Sequence, residues 1–175
     1  MRLARRLLFV LGLVLAMLAV LIVVATALDR PATTVHEETI VNAPRRLVWQ
    51  LLTDFDGYQS WNPYVTRANG EARTGEQLAL RLDPEHEEAQ DVVCDVITVK
   101  EVRKLYWRCR NHDVPGVLDR EHTFRLLPID ADRIRLVYDG RWEGVLVPFV
   151  DLDDRKSGYR RMILALKERA ETAQR

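Results

Sequence analysis

Hydrophobic positions along the chain change period twice, and each change marks a structural boundary. Residues 7–28, "LLFVLGLVLAMLAVLIVVATAL", contain no charged residue. A helix of about 22 such residues is roughly 33 Å long, enough to span a bilayer. The run is apolar on every side, unlike a surface helix with a polar stripe. After a short tether, "DRPATT" at 29–34, the stretch "TVHEETIVNAP" predicts a strand ending at Asn42. Asn42 is placed there as a helix cap, with Pro44 in the first turn that follows. "RRLVWQLL" then sets Leu47, Val48, Leu51 and Leu52 at helical spacing. Beyond Thr53-Asp54, Phe55, Tyr58 and Trp61 recur every three residues, which predicts a short second helix with an aromatic face. Asn62-Pro63 ends it, because a residue before proline avoids the helical region.

From Tyr64 onward the period becomes two. Alternating, β-branched and aromatic runs at 64–69, 76–82, 90–102, 104–111, 118–128 and 132–144 predict six antiparallel strands in a meander, about seven with the first. The chain closes on a helix at about 151–173, with Leu152, Tyr159, Met162, Ile163, Leu166 and Ala170 on one side and "DDRK" and "KER" opposing them. This order predicts an α+β domain over 35–175, preceded by an anchor at 1–28 and the tether. A curved antiparallel sheet with one long helix across its open face encloses a cavity.

Strand alternation assigns the lining. Leu118, Arg120, His122, Phe124 and Leu126 share one face of their strand. Ile134, Leu136, Tyr138 and Trp142 do so on the next, and Leu105, Trp107 and Cys109 on a third. These apolar-rich faces are expected to point inward, toward Tyr159 and Met162 of the last helix. The interior is then mainly aliphatic and aromatic, with Arg120, His122, Tyr138 and the two cysteines as its polar points. Such a lining suits an apolar molecule held by few polar contacts. His122 is a weak candidate general base with Arg120 as an anion stabiliser, although a lone strand histidine equally serves as a hydrogen-bonded core residue.

Charge narrows the possible partners. The chain has 26 basic and 26 acidic residues; with Arg2, Arg5 and Arg6 set aside, 23 basics face 26 acids, a net charge of about −3. That balance argues against nucleic acid, which calls for a basic face. "Arg155-Lys156" and "Arg160-Arg161" are expected on a solvated helix face, and "PEHEEAQD" at 84–91 in a solvated hairpin loop. The three early arginines place the N-terminus in the cytoplasm and the domain outside it. "ATA" at 25–27 leaves open a signal peptide cleaved after Ala27, releasing a secreted or periplasmic domain, although the apolar run exceeds the usual h-region. Cys94 and Cys109 fall on neighbouring strands, either as a disulfide in an oxidising compartment or as two buried thiols. His36, His86, His112 and His122 are scattered, so no metal is expected. With no nucleophile elbow, glycine-rich phosphate loop or nucleotide fingerprint, no cofactor is expected either.

The pattern "IVNAPRRLVWQLLTDFDGYQSWNPYV" resembles the opening of the START-like, helix-grip superfamily, also called SRPBCC, and in particular its polyketide cyclase/dehydrase-like branch. In that branch an I-x-A-P/S-x-x-V-W-x-x-L-x-D-F-x-x-Y-x-x-W-N-P stretch runs from the first strand through both short helices. "LYWRCR", "REHTFRLLP", "YDGRWEGVLVP" and "MILALKERAE" match it in order, so the resemblance covers about residues 34–172. It implies that 54–65 is the joint seating the short helices on the sheet, with Tyr58 and Trp61 closing one end of the cavity. Three functions are compatible with it: membrane-tethered binding of a hydrophobic molecule or lipid, a cyclase or dehydratase acting on such a ligand, or an interaction protein with a filled cavity. Fold does not fix function.

Overall fold

The computed structural model describes residues 6, 10–21, 32–110 and 116–173. Residues 10–21 are helical and every one of them is exposed. Among the described residues no helix is long and apolar enough to cross a membrane. The rest of the expected span, 7–9 and 22–28, lies outside the described residues, as does the candidate cleavage site.

Seven strands form one antiparallel sheet: β1 (Ala32–Val41), β2 (Val65–Asn69), β3 (Gln77–Leu82), β4 (Gln90–Lys100), β5 (Lys104–Arg110), β6 (Asp119–Pro128) and β7 (Ile134–Glu143). Their order is β1-β7-β6-β5-β4-β3-β2. The expected meander is present from β2 to β7, and β1 returns to the far edge beside β7. Two helices, α1 (Arg45–Thr53) and α2 (Leu152–Thr172), and two 3-10 turns, Asp56–Ser60 and Val147–Phe149, complete the domain. This is the α+β, helix-grip arrangement. β1 begins inside the expected tether, since Thr33 already pairs with Trp142 and Thr34 with Arg141.

Local chemistry departs from the sequence reading at the first helix. α1 starts behind Pro44 without a side-chain cap. Asn42 instead donates its backbone N–H and Nδ2 to Glu171 Oε1, at 2.8 and 2.9 Å, tying the end of β1 to the last turn of α2. The buried stripe of α1 is Val48, Trp49 and Leu52, with Leu47 and Leu51 half-buried. The aromatic stretch after it forms the 3-10 turn and is a structural joint. Phe55 and Tyr58 are buried, the Tyr58 hydroxyl donates to the Leu52 carbonyl at 2.6 Å, and Asn62 Oδ1 accepts from the backbone N–H of Tyr64 and Val65.

Cys94 and Cys109 are joined in a disulfide, which decides between the two alternatives for these residues. The β4–β5 register sets them directly opposite one another, with Cα atoms 4.0 Å apart. That approach matches the closer, non-hydrogen-bonded type of antiparallel pair, the one hairpin position where side chains come near enough to bond.

α2 buries Tyr159, Met162, Ile163, Leu166 and Ala170 as expected, with Leu152 half-buried. It also buries Asp154, Arg155 and Gly158. Arg155 is therefore not on a solvated face: it stands one turn before Tyr159 and two before Met162, so helical geometry puts it in the apolar stripe despite its charge. Gly158 has its own reason. A Cβ there would lie 2.3 Å from the Tyr64 ring, so only glycine lets Tyr64 pack this closely on the helix, edge-on to the Tyr159 ring at 4.8 Å.

Candidate functional site

Every residue assigned to the inner faces of β5, β6 and β7 is buried, including Arg120, His122 and Tyr138. Alternation therefore places the side chains correctly. What they enclose differs from the sequence reading, because the middle of the domain is packed with rings and the open space lies at one end.

In the packed part, His122 is the hub. Its ring stacks on Tyr159 at 4.7 Å, with Trp142 edge-on at 5.6 Å, while Phe124 packs between Trp107 and Tyr138. Gly140 opposes His122 across the β6–β7 ladder. A Cβ on Gly140 would come 2.6 Å from both the Trp142 ring and the Tyr138 hydroxyl, so its missing side chain makes room for the cluster. Both imidazole nitrogens are engaged: Nδ1 lies 2.9 Å from the Tyr138 hydroxyl and Nε2 lies 3.3 Å from the Tyr159 hydroxyl. Neutral imidazole has one donor and one acceptor, and hydroxyls serve either role, so the trio is self-satisfied. Burial, with the Arg120 charge adding to it, holds the His122 pKa well below the ordinary value. Burial raises those of Tyr138 and Tyr159 well above theirs. At neutral pH all three are uncharged. Desolvation penalises the imidazolium, which weighs against the general-base role considered for His122.

The cavity, about 280 Å³, lies where β4 and β6 begin and β7 ends, against the first turn of α2. Its wall is formed by Glu87 and Gln90, Leu118 and Arg120, Trp142, and the segment carrying Leu146, Phe149 and Val150, with Arg155 of α2. Of the residues assigned to the lining from sequence, Leu118, Arg120 and Trp142 line it. Trp107, Cys109, His122, Phe124, Leu136, Tyr138, Tyr159 and Met162 belong to the packed core instead. Trp61 is half-buried against Tyr58, ring centroids 4.9 Å apart, and does not line the cavity.

Glu87, Leu146, Phe149 and Val150 were missed because they stand on loops and a 3-10 turn, where no period exists to reveal them, and Arg155 because its charge was weighed above its helical register. The "PEHEEAQD" segment is not merely solvated. Asp154 accepts the backbone N–H of Glu85 and His86 at 3.0 and 3.2 Å, and Glu87 pairs with buried Arg155, so the loop is clamped to α2. Burial pushes the Asp154 carboxyl up, but those two amides outweigh it and hold its pKa below the ordinary value. Asp154 is itself oriented by Asp151, whose side chain caps α2 by accepting the N–H of Asp153 and Asp154. Among the described residues Glu85, His86 and Asp154 bring possible ligand atoms within 4.8 Å of one another. Asp154 is taken by the two amides and Glu85 by Arg161, so the group serves as a loop clamp.

Residues 32–171 match the family described as polyketide cyclase / dehydrase and lipid transport. The chain belongs to that family. No curated protein matches it. Among solved structures it is similar to a START superfamily protein from Mycobacterium smegmatis, with a TM-score of 0.65 and 20% identity, covering 80% of this chain and 98% of the other. It is also similar to the Zhui aromatase/cyclase from a Streptomyces species, at 0.59 and 19%, covering 83% and 97%. Norcoclaurine synthase from Thalictrum flavum matches at 0.64 and 10%, covering 83% and 98%. At these identities the likeness shows the shared fold. Family and fold together are those of hydrophobic-ligand-binding and polyketide cyclase-like domains.

Proposed function

We propose that this family member binds a hydrophobic small molecule or lipid and that residues 7–28 hold it at a membrane. The observation that carries the binding reading is the cavity and its rim. Phe149, which lines the cavity, is 84% exposed, a large apolar side chain left in contact with solvent, with half-buried Leu146 and Val150 beside it. An exposed apolar rim on a concave site is what entry of an apolar molecule requires. The family description, which includes lipid transport, supports the same reading.

The membrane part rests on the length and charge-free composition of residues 7–28 and on Arg2, Arg5 and Arg6 before them. With the N-terminus in the cytoplasm the domain faces the outside, and the Cys94–Cys109 disulfide suits an oxidising compartment. Holding the cavity within a short tether of the bilayer raises the local concentration of a membrane-soluble ligand. A cyclase-like reaction has less support, because His122 is outside the cavity wall and already hydrogen-bonded on both nitrogens.

Native mass spectrometry of the full chain released from membranes, followed by organic extraction, tests this. A discrete bound mass lost on denaturation is expected. A chain that leaves the membrane fraction in salt washes and carries no bound mass overturns the reading.

A further inference from the structure

The cavity wall is rich in hydrogen-bond donors without acceptors. Arg120 Nε and Trp142 Nε1 are buried and have no partner among the described residues, and buried Arg155 Nη1 has only the neighbouring Tyr64 hydroxyl as a poorly aligned acceptor. Arg120 is 6% exposed and Arg155 5%, and both line the cavity. Arg155 uses its other terminal nitrogen on Glu87, whereas Arg120 forms no ion pair among the described residues. A guanidinium cannot escape burial by losing its proton, and an unpaired buried charge is strongly disfavoured. Burial, reinforced by the nearby Arg155 charge, lowers the Arg120 pKa, which records the same penalty. A ligand that brought an acceptor into the adjoining cavity would offset this cost.

Charge and shape narrow its chemistry. Arg155 and Glu87 cancel, so the wall carries one net positive charge, on Arg120. A singly charged, planar acceptor that takes two parallel N–H groups fits this, and a carboxylate has that form. A dianion would set an uncompensated negative charge near Glu87. Leu118, Leu146, Val150 and exposed Phe149 offer an apolar path outward from the same space. We propose that the cavity binds the carboxylate of an amphipathic molecule, headgroup on Arg120 and hydrocarbon toward Phe149. This rests on the binding reading above and specifies its ligand class.

The test is calorimetric titration of the full-length protein in nanodiscs, corrected for empty nanodiscs, with octanoate, octan-1-ol and octyl phosphate at pH 8. Octanoate is expected to bind at least tenfold more tightly than octan-1-ol, and more tightly than octyl phosphate. Arg120→Met is expected to remove the advantage over octan-1-ol and Arg120→Lys to retain part of it. Glu87→Gln frees Arg155 and is expected to narrow the preference for octanoate over octyl phosphate; it also keeps the test available if the Arg120 variants do not fold. Equal binding of octanoate and octan-1-ol overturns the carboxylate site while leaving hydrophobic binding intact. Tighter binding of octyl phosphate overturns the single-charge assignment, and failure of all three probes removes the binding reading itself.

Discussion

His122 and Arg120 stand two residues apart on the same inward face of β6, and both are almost fully buried. Their surroundings differ in kind. His122 has a hydroxyl on each ring nitrogen and rings packed on its faces, so it is neutral and satisfied. Arg120 is a cation with an unpartnered Nε and no counter-ion among the described residues, beside open volume. A buried polar side chain with its hydrogen bonds filled adds specificity to a core. One left unfilled next to a cavity stores a cost that a ligand can relieve. The first residue is structural, and the second marks the site we propose.

The largest expected effect breaks the packed side of this comparison. Gly140→Ala forces a methyl group into the Trp142 ring and the Tyr138 hydroxyl, both 2.6 Å from the added carbon. Neither ring can move without disturbing His122, so a loss of about 3 kcal/mol is expected by urea unfolding, at the upper end of overpacking costs. A loss below about 1 kcal/mol would show that the cluster is loosely packed.

His122→Leu is expected to cost less, about 2 kcal/mol, because it keeps apolar volume but leaves two buried tyrosine hydroxyls without a partner. It also has a pH signature. The folded pKa of His122 is depressed, so the unfolded chain binds its proton first. The stabilisation from keeping His122 neutral is present above the unfolded value near 6.5 and is lost as pH falls below it, by about 1.4 kcal/mol per unit. Between pH 7 and 5 the wild-type protein should lose stability more steeply than His122→Leu. Parallel curves would mean that the imidazole titrates normally and is not sealed in the core.

Reducing the Cys94–Cys109 disulfide is expected to cost an amount similar to or slightly below that of Gly140→Ala on chain-entropy grounds, since the bond closes a separation of 15 residues. It crosses β4 and β5, and neither cysteine lines the cavity, so octanoate affinity should be unchanged in dithiothreitol under conditions where the domain stays folded. A parallel loss of affinity would show that the two regions are mechanically coupled.

The fold was legible because it follows from periods. The change from helical to two-residue spacing at Tyr64 and the four inward faces of β5 to β7 and α2 are written in hydrophobic alternation and turn chemistry, while the joint at 54–65 followed from the family resemblance. The cavity was legible only in part. Arg120 and Trp142 could be assigned to the interior from their strand positions, but alternation says which side a residue faces and not whether space remains there. Volume at that end depends on ring packing, and Gly140 and Gly158 are two small residues that let the rings close the middle of the domain. Glu87 and Phe149 lie in aperiodic segments. Arg155 was misplaced because charge was weighed above helical register, although its spacing from Tyr159 and Met162 already put it on the buried stripe.

The smallest expected change in stability is the one that separates the two residues most sharply. Arg120→Met keeps most of the aliphatic stem and removes the charge, and with it a buried Nε that has no acceptor. If Arg120 is retained for a ligand, the unliganded variant should unfold at the same urea concentration as the wild-type protein or be more stable by about 1 kcal/mol, because an unpaired buried charge has been relieved. Octanoate should then raise the unfolding midpoint of the wild-type protein and leave that of the variant unmoved, since a ligand stabilises only the state that binds it. The contrast with His122→Leu, where stability falls, is the decisive reading. Should Arg120→Met instead destabilise the protein as much as His122→Leu does, Arg120 would have a structural partner, and the distinction between a filled and an unfilled buried polar group on β6 would be lost.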